Sequence, residues 1–134
     1  MTANKRILIV DDEADLREVL EMQIQPLASQ ISHASNGKEA LELTTKQTFD
    51  AILTDINMPI MNGIEFLKSL RANGNETPVV ILTGHYDKEL VIQALRLGAF
   101  EFLDKPWSEE NLADVIGRAL ELGAELNFRK SNVE

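Results

Sequence analysis

Cysteine is absent from the 134 residues, which excludes disulfides and thiolate metal sites and is compatible with a reducing, cytoplasmic setting. Long apolar runs are missing too. The longest are strings such as residues 7–10 (Ile-Leu-Ile-Val) and 79–82 (Val-Val-Ile-Leu), far below the roughly 20 residues of a membrane span. The first six residues are polar and no signal-peptide h-region follows, so no membrane partner is expected. Positive charge is scarce, with 13 Lys and Arg against 22 Asp and Glu and a net charge of −9. Nucleic-acid binding needs a basic patch, so no direct nucleic-acid contact is expected either. Most of the negative charge suits solvated helix faces, and the excess also suits attraction of a divalent cation.

What is present is an ordinary globular composition, 44% hydrophobic and 26% charged, enough for one sizeable core. Residues 6–10 are β-branched and apolar and read as a first strand. Residues 13–26 follow with Leu16, Val19, Leu20 and Ile24 at helical spacing. Residues 31–34 are a weaker, edge-type strand. Asn36-Gly37 opens a second helix with Ala40, Leu41 and Leu43 inward. Residues 51–54 form a third strand, 58–62 a loop at Pro59, and 63–72 a helix stopped by Asn73-Gly74-Asn75. Residues 78–82 form a fourth strand. Asp87 caps a helix carrying Leu90, Val91, Ala94, Leu95 and Leu97, which Gly98 ends. Residues 100–103 form a fifth strand, and Ser108 opens a last helix towards Leu126. Five strand–helix alternations predict a parallel sheet covered on both faces. The expected architecture is α/β, a single (βα)5 doubly wound, flavodoxin-like domain with strand order 2-1-3-4-5. The domain is expected to span residues 1–126, with residues 127–134 as a tail or linker stub.

In open parallel sheets, ligands bind beyond the carboxyl ends of the strands, where strand order reverses. The first strand ends in Asp11-Asp12, the third in Asp55, the fourth in Thr83 and the fifth in Asp104-Lys105-Pro106. Carboxylates from neighbouring strands repel, and at least one should hold its proton more tightly unless a cation offsets the charge. An all-oxygen donor set favours Mg²⁺, with Mn²⁺ as a substitute, over Zn²⁺. A phosphoryl group in transfer carries charge on its equatorial oxygens. Mg²⁺, Lys105 and the Thr83 hydroxyl suit those oxygens, and Asp55 is the candidate nucleophile.

These pieces together resemble the receiver domain of bacterial two-component response regulators. The resemblance runs from about Arg6 to Leu122. It rests on Asp11-Asp12, on Asp55-Ile-Asn-Met-Pro59 with Gly63, on Thr83 and on Lys105-Pro106, in that order and at matching intervals. It implies that Asp55 is the phosphoacceptor and that Asp12 and Asp55 ligate Mg²⁺ directly. Asp11 would ligate through water, and Asn57 through its backbone carbonyl. It implies a cis Lys105–Pro106 bond, a switch made of Thr83 and Phe102, and tuning of phosphoryl lifetime by Asn57 and His85. The implied partners are a histidine kinase or histidine phosphotransfer protein and an output domain or protein. A homodimer through the fourth helix, fifth strand and fifth helix is a further expectation. The domain is expected to catalyse only its own phosphorylation and slow dephosphorylation. No output segment fits after Leu126, so the chain is expected to be a stand-alone regulator or a receiver cut from a longer one.

Several features have plainer readings. Asp11-Asp12 also suits a helix N-cap. His33 reads as background and Trp107 as an anchor for the last helix. Met58 and Met61 suit either loop packing or a soft docking surface. Leu112, Val115, Ala119, Leu122 and Leu126 are heptad-like, but packing on the sheet explains most of that pattern. A haloacid-dehalogenase-type phosphatase would need an acid where Asn57 stands. An FMN module would need a phosphate-cradling loop where Asp11-Asp12 stands. A phosphorylation-independent interaction domain would not need all of these site residues.

Overall fold

Side chains alternate between the two faces of a strand, and each face here meets its own set of helices. The computed structural model describes residues 4–84 and 88–132. Five parallel strands, β1 (Arg6–Val10), β2 (Gln30–Ala34), β3 (Ala51–Thr54), β4 (Val79–Thr83) and β5 (Glu101–Asp104), form one sheet in the order β2-β1-β3-β4-β5. The flavodoxin-like α/β architecture expected from the alternation is thus the observed one. The helices are α1 (Ala14–Ile24), α2 (Gly37–Lys46), α3 (Gly63–Ala72), α4 (Lys88–Arg96) and α5 (Glu109–Ser131). Ile7, Ile9, Leu53, Val80 and Leu82 point to α1 and α5, where they meet Leu20, Ile24, Leu112, Val115 and Ile116. Leu8, Val10, Ile52, Val79 and Ile81 point the other way, towards Phe66, Leu67 and Leu70 of α3 and Ala94 of α4.

Local chemistry sets most boundaries. Asn36 caps α2 by accepting from the Glu39 N–H. Asn62 and Glu65 form a reciprocal capping box on α3. Ser108 accepts from the Asn111 N–H at the start of α5. Gly98 follows α4 at φ +83°. Among the described residues, no helix is long and apolar enough to cross a membrane.

The structure departs from the sequence expectations in places. β4 and β5 each begin and end one residue later than expected, so that they include Thr83 and Asp104 and leave out Pro78 and Phe100. Val19, Leu95 and Leu122 are 43%, 55% and 40% exposed rather than inward. Each lies at the margin of its helix's apolar stripe or beyond it, because 100° per residue carries it away from the buried positions. Leu112, Val115 and Ala119 are buried in the chain's own core. α5 does not end near Leu126 but continues to Ser131. Asn127 donates there to the Phe49 carbonyl and to Asp50 Oδ1, at 3.1 and 2.9 Å, so the expected tail begins as docked helix. Trp107 packs on the α1–α5 core, and its indole N–H donates to Gln23 of α1 at 2.7 Å. It therefore anchors α1 as well. The expected Asp87 cap and His85 lie outside the described residues.

Candidate functional site

Buried polar side chains are informative because they need partners. Among the described residues they are Asp11, Asp50, Thr54, Asp55 and Thr83. All but Asp50 stand at the carboxyl ends of β1, β3 and β4, where the strand order reverses between β1 and β3.

The sheet ladder places them. The Asp11 N–H donates to the Ala34 carbonyl at 3.1 Å, that of Asp55 to Val10 at 3.1 Å, and that of Lys105 to Thr83 at 3.0 Å. Each strand is thus held by its neighbour one residue past its last regular position, and Asp11, Asp55 and Lys105 are delivered to one rim. Gly63 brings the start of α3 against the same rim, with its N–H on the Ile56 carbonyl at 2.9 Å. A Cβ at Gly63 would stand 2.2 Å from the Asp55 carbonyl oxygen, so only glycine permits this approach. The Lys105–Pro106 peptide is cis.

Side-chain geometry follows. Lys105 Nζ is 3.0 Å from Asp55 Oδ2 and 3.6 Å from Asp11 Oδ2. The other oxygens are held by backbone, Asp55 Oδ1 by the Ile56 N–H at 2.6 Å and Asp11 Oδ1 by the Glu13 N–H at 2.9 Å. The Thr54 hydroxyl donates to the Asp55 carbonyl at 2.9 Å. Asp11 is 2% exposed, Asp55 8% and Thr83 2%. Burial pushes the Asp11 carboxyl above its ordinary value. The Glu13 N–H and Lys105 oppose that rise, while Asp55 and Asp12 add to it. Burial pulls Lys105 down, but its hydrogen bond to Asp55 and the charges of Asp55 and Asp11 outweigh this and hold it above its ordinary value. Lys105 therefore stays protonated, and the acidic pocket carries an internal counter-charge.

The structure brings together Asp11, Asp55 and Lys105, with Thr83 ending the strand between β3 and β5. Asp12 and Asn57 are exposed in the adjoining loops, with Asp12 near enough for its charge to act on Asp11. Phe102 is half-buried and packs on the α3–α4 side. Met58 and Met61 are half-buried against the same core, as loop packing requires. Among the described residues, no three His, Cys, Asp or Glu side chains stand together as a metal cluster. Lys105 occupies the gap between two of the carboxylates and Asp12 faces solvent. The donor set still fits a hard ion, since Mg²⁺ keeps several waters and needs only one or two carboxylates. Sequence reasoning missed Arg17, whose guanidinium donates to the Asp11 carbonyl. No motif marks it, because the contact depends on how α1 lies against β1.

Residues 7–117 match the family described as response regulator receiver domain. Regulatory protein AtoC of Escherichia coli K12 is 40% identical over 122 residues, covering 91% of this chain and 26% of that protein. Response regulator protein PilR of Pseudomonas aeruginosa is 37% identical over 120 residues, covering 90% of this chain and 27% of that protein. The chain thus spans about a quarter of the length of these relatives. Among solved structures, chemotaxis protein CheY4 of Vibrio cholerae matches with a TM-score of 0.80 at 33% identity, covering 87% of this chain and 99% of that one.

Proposed function

Since the chain belongs to the response regulator receiver-domain family, we propose that it is a phosphoacceptor switch in which Asp55 takes a phosphoryl group from a partner phosphohistidine. The observation that carries this reading is the single ammonium of Lys105, 3.0 Å from Asp55 and 3.6 Å from Asp11 at the switch point of the sheet. An Asp55 carboxylate oxygen attacks phosphorus, the phosphorus–nitrogen bond breaks, and the donor imidazole leaves with the electron pair. The product is an acyl phosphate on Asp55. Lys105 shields the carboxylate charge before attack and meets the phosphoryl oxygens after it. The Thr83 hydroxyl is the second protein group for those oxygens. Mg²⁺ would be held by Asp11, Asp12, Asp55 and the Asn57 carbonyl, with Mn²⁺ as a substitute, and would supply positive charge to the phosphoryl oxygens.

Phosphorylation then shifts a two-state equilibrium through the differential contacts of Thr83 and Lys105, with Phe102 following Thr83. The surface that changes is α4, β5 and α5, which is also where a homodimer would form. Asn57 and His85 tune phosphoryl lifetime. The role is signalling, with self-phosphorylation and slow dephosphorylation as the only chemistry. The partners are a histidine kinase or phosphotransfer protein and an output domain or protein, working in the cytoplasm. Incubation with Mg²⁺ and acetyl phosphate, followed by intact mass, tests this. One phosphate adduct is expected on the wild-type chain and none on Asp55→Ala. No adduct under conditions where Mg²⁺ binds sinks the reading.

A further inference from the structure

Arg17 of α1 connects the acidic pocket to the edge of the sheet. Its Nη1 donates to the Asp11 backbone carbonyl. Its Nε donates to His33 Nδ1 on β2, at 3.2 Å. The other ring nitrogen, Nε2, pairs with Glu21 Oε1. Nδ1 accepts only while the ring is neutral, so the donor role of Arg17 assigns the ring proton to Nε2, where it is given to Glu21.

The Asp11 carbonyl belongs to the planar peptide that joins Asp11 to Asp12. The Asp11 N–H is held by Ala34 and its side chain by Glu13. The guanidinium adds a charge-assisted hold on the next peptide plane, and that plane sets the direction in which Asp12 leaves. We propose that Arg17 is a positioning residue for phosphoryl acceptance. It fixes the Asp11–Asp12 peptide, and with it the direction from which the exposed Asp12 side chain reaches the rim beside buried Asp11, and neutral His33, paired with Glu21, fixes Arg17 in turn. Protonation of His33 converts Nδ1 from acceptor to donor and removes one of Arg17's two anchors. The charged groups facing His33 are Arg17, Glu18 and Glu21, all on α1, while β1 presents Ile9 beside it. Loss of that anchor loosens the Asp11–Asp12 peptide from a distance.

This inference rests on Asp55 as phosphoacceptor, and two readouts separate the claims. Mg²⁺ affinity by calorimetry and the initial rate of adduct formation from acetyl phosphate are each measured near pH 8 and near pH 6. Arg17→Gln is expected to weaken Mg²⁺ binding on the order of tenfold near pH 8, the scale of lost outer-shell support, and to flatten the pH response. His33→Asn keeps an acceptor oxygen where Nδ1 stands but does not titrate. It is expected to match wild type near pH 8 and to lose the extra weakening near pH 6. The proposal is overturned if Arg17→Gln stays within about twofold of wild type in both readouts, if His33→Asn keeps the wild-type pH response, or if the wild-type chain binds no Mg²⁺. Should Arg17→Gln fail to fold, His33→Asn decides. If Mg²⁺ binding follows Arg17 as expected while no adduct forms on wild type, only the phosphoacceptor reading fails.

Discussion

Asp11 is a buried carboxylate whose ionisation the fold opposes. Its folded pKa lies above the ordinary one, so the stability it contributes is complete below the ordinary carboxylate range. That stability is lost as pH rises through the raised value. Asp11→Asn keeps an oxygen for the Glu13 N–H and removes the charge. Without Mg²⁺ its melting midpoint should exceed that of wild type at neutral pH, and the gain should vanish as pH falls through the carboxylate range. Its Mg²⁺ affinity should fall at the same time. Lys105 has the opposite role at neutral pH, since it compensates both Asp55 and Asp11. Lys105→Met leaves two buried carboxylates without their cation and should cost about 3 kcal/mol, read from denaturant unfolding. Adding Asp11→Asn should restore part of that loss. Additive effects of the two substitutions would argue against the shared counter-charge.

The rim itself was legible at the level of single residues. Asp11, Asp55, Thr83 and Lys105 each follow an apolar strand, and a parallel sheet brings such ends together. The cation between the carboxylates was not legible, because a strand-end position says nothing about the reach of a four-carbon side chain.

α5 carries two glycines with opposite surroundings. A Cβ at Gly123 would lie 1.6 Å from the Asp50 carbonyl oxygen, whereas a Cβ at Gly117 meets nothing within 4 Å. Gly117→Ala should therefore stabilise by up to about 1 kcal/mol through helix propensity. Gly123→Ala should destabilise by roughly 2 kcal/mol or more, because α5 must move off the β3 end of the sheet. Chemical unfolding of both variants checks the contrast, and equal effects would refute it. Composition treats the two glycines alike. Only the seating of α5 on Asp50 distinguishes them.

Arg71 does comparable work at the end of α3. Its guanidinium donates to the carbonyls of Leu97, Asn75, Thr77 and Gly98. It thereby joins α3, the connection into β4 and the connection from α4 into β5. Burial lowers its pKa, and Glu76 opposes that.

For the whole molecule, a ligand that binds only the folded state stabilises by mass action. Mg²⁺ at about 100 times its dissociation constant should add roughly 2.7 kcal/mol, visible as a rise of several degrees in the melting midpoint. Asp55→Ala should show a smaller rise, having lost one carboxylate of the pocket. A midpoint unmoved by Mg²⁺ in the wild-type chain would count against the metal assignment.

The sequence by itself determined the order of elements, the two-faced parallel sheet and the set of polar residues at its carboxyl edge. Period-2 and period-3.6 patterns, capping residues and strand-end positions are local properties, and the connection rules of parallel sheets convert them into a topology. Tertiary structure alone decided which of those residues touch. It placed Lys105 between Asp55 and Asp11, turned Asp12 outward, carried α5 on to Ser131 and tied Arg17 to the Asp11 carbonyl. Each of these depends on how closely elements distant in the chain approach one another. That approach is set by packing and by single hydrogen bonds, which no local pattern encodes.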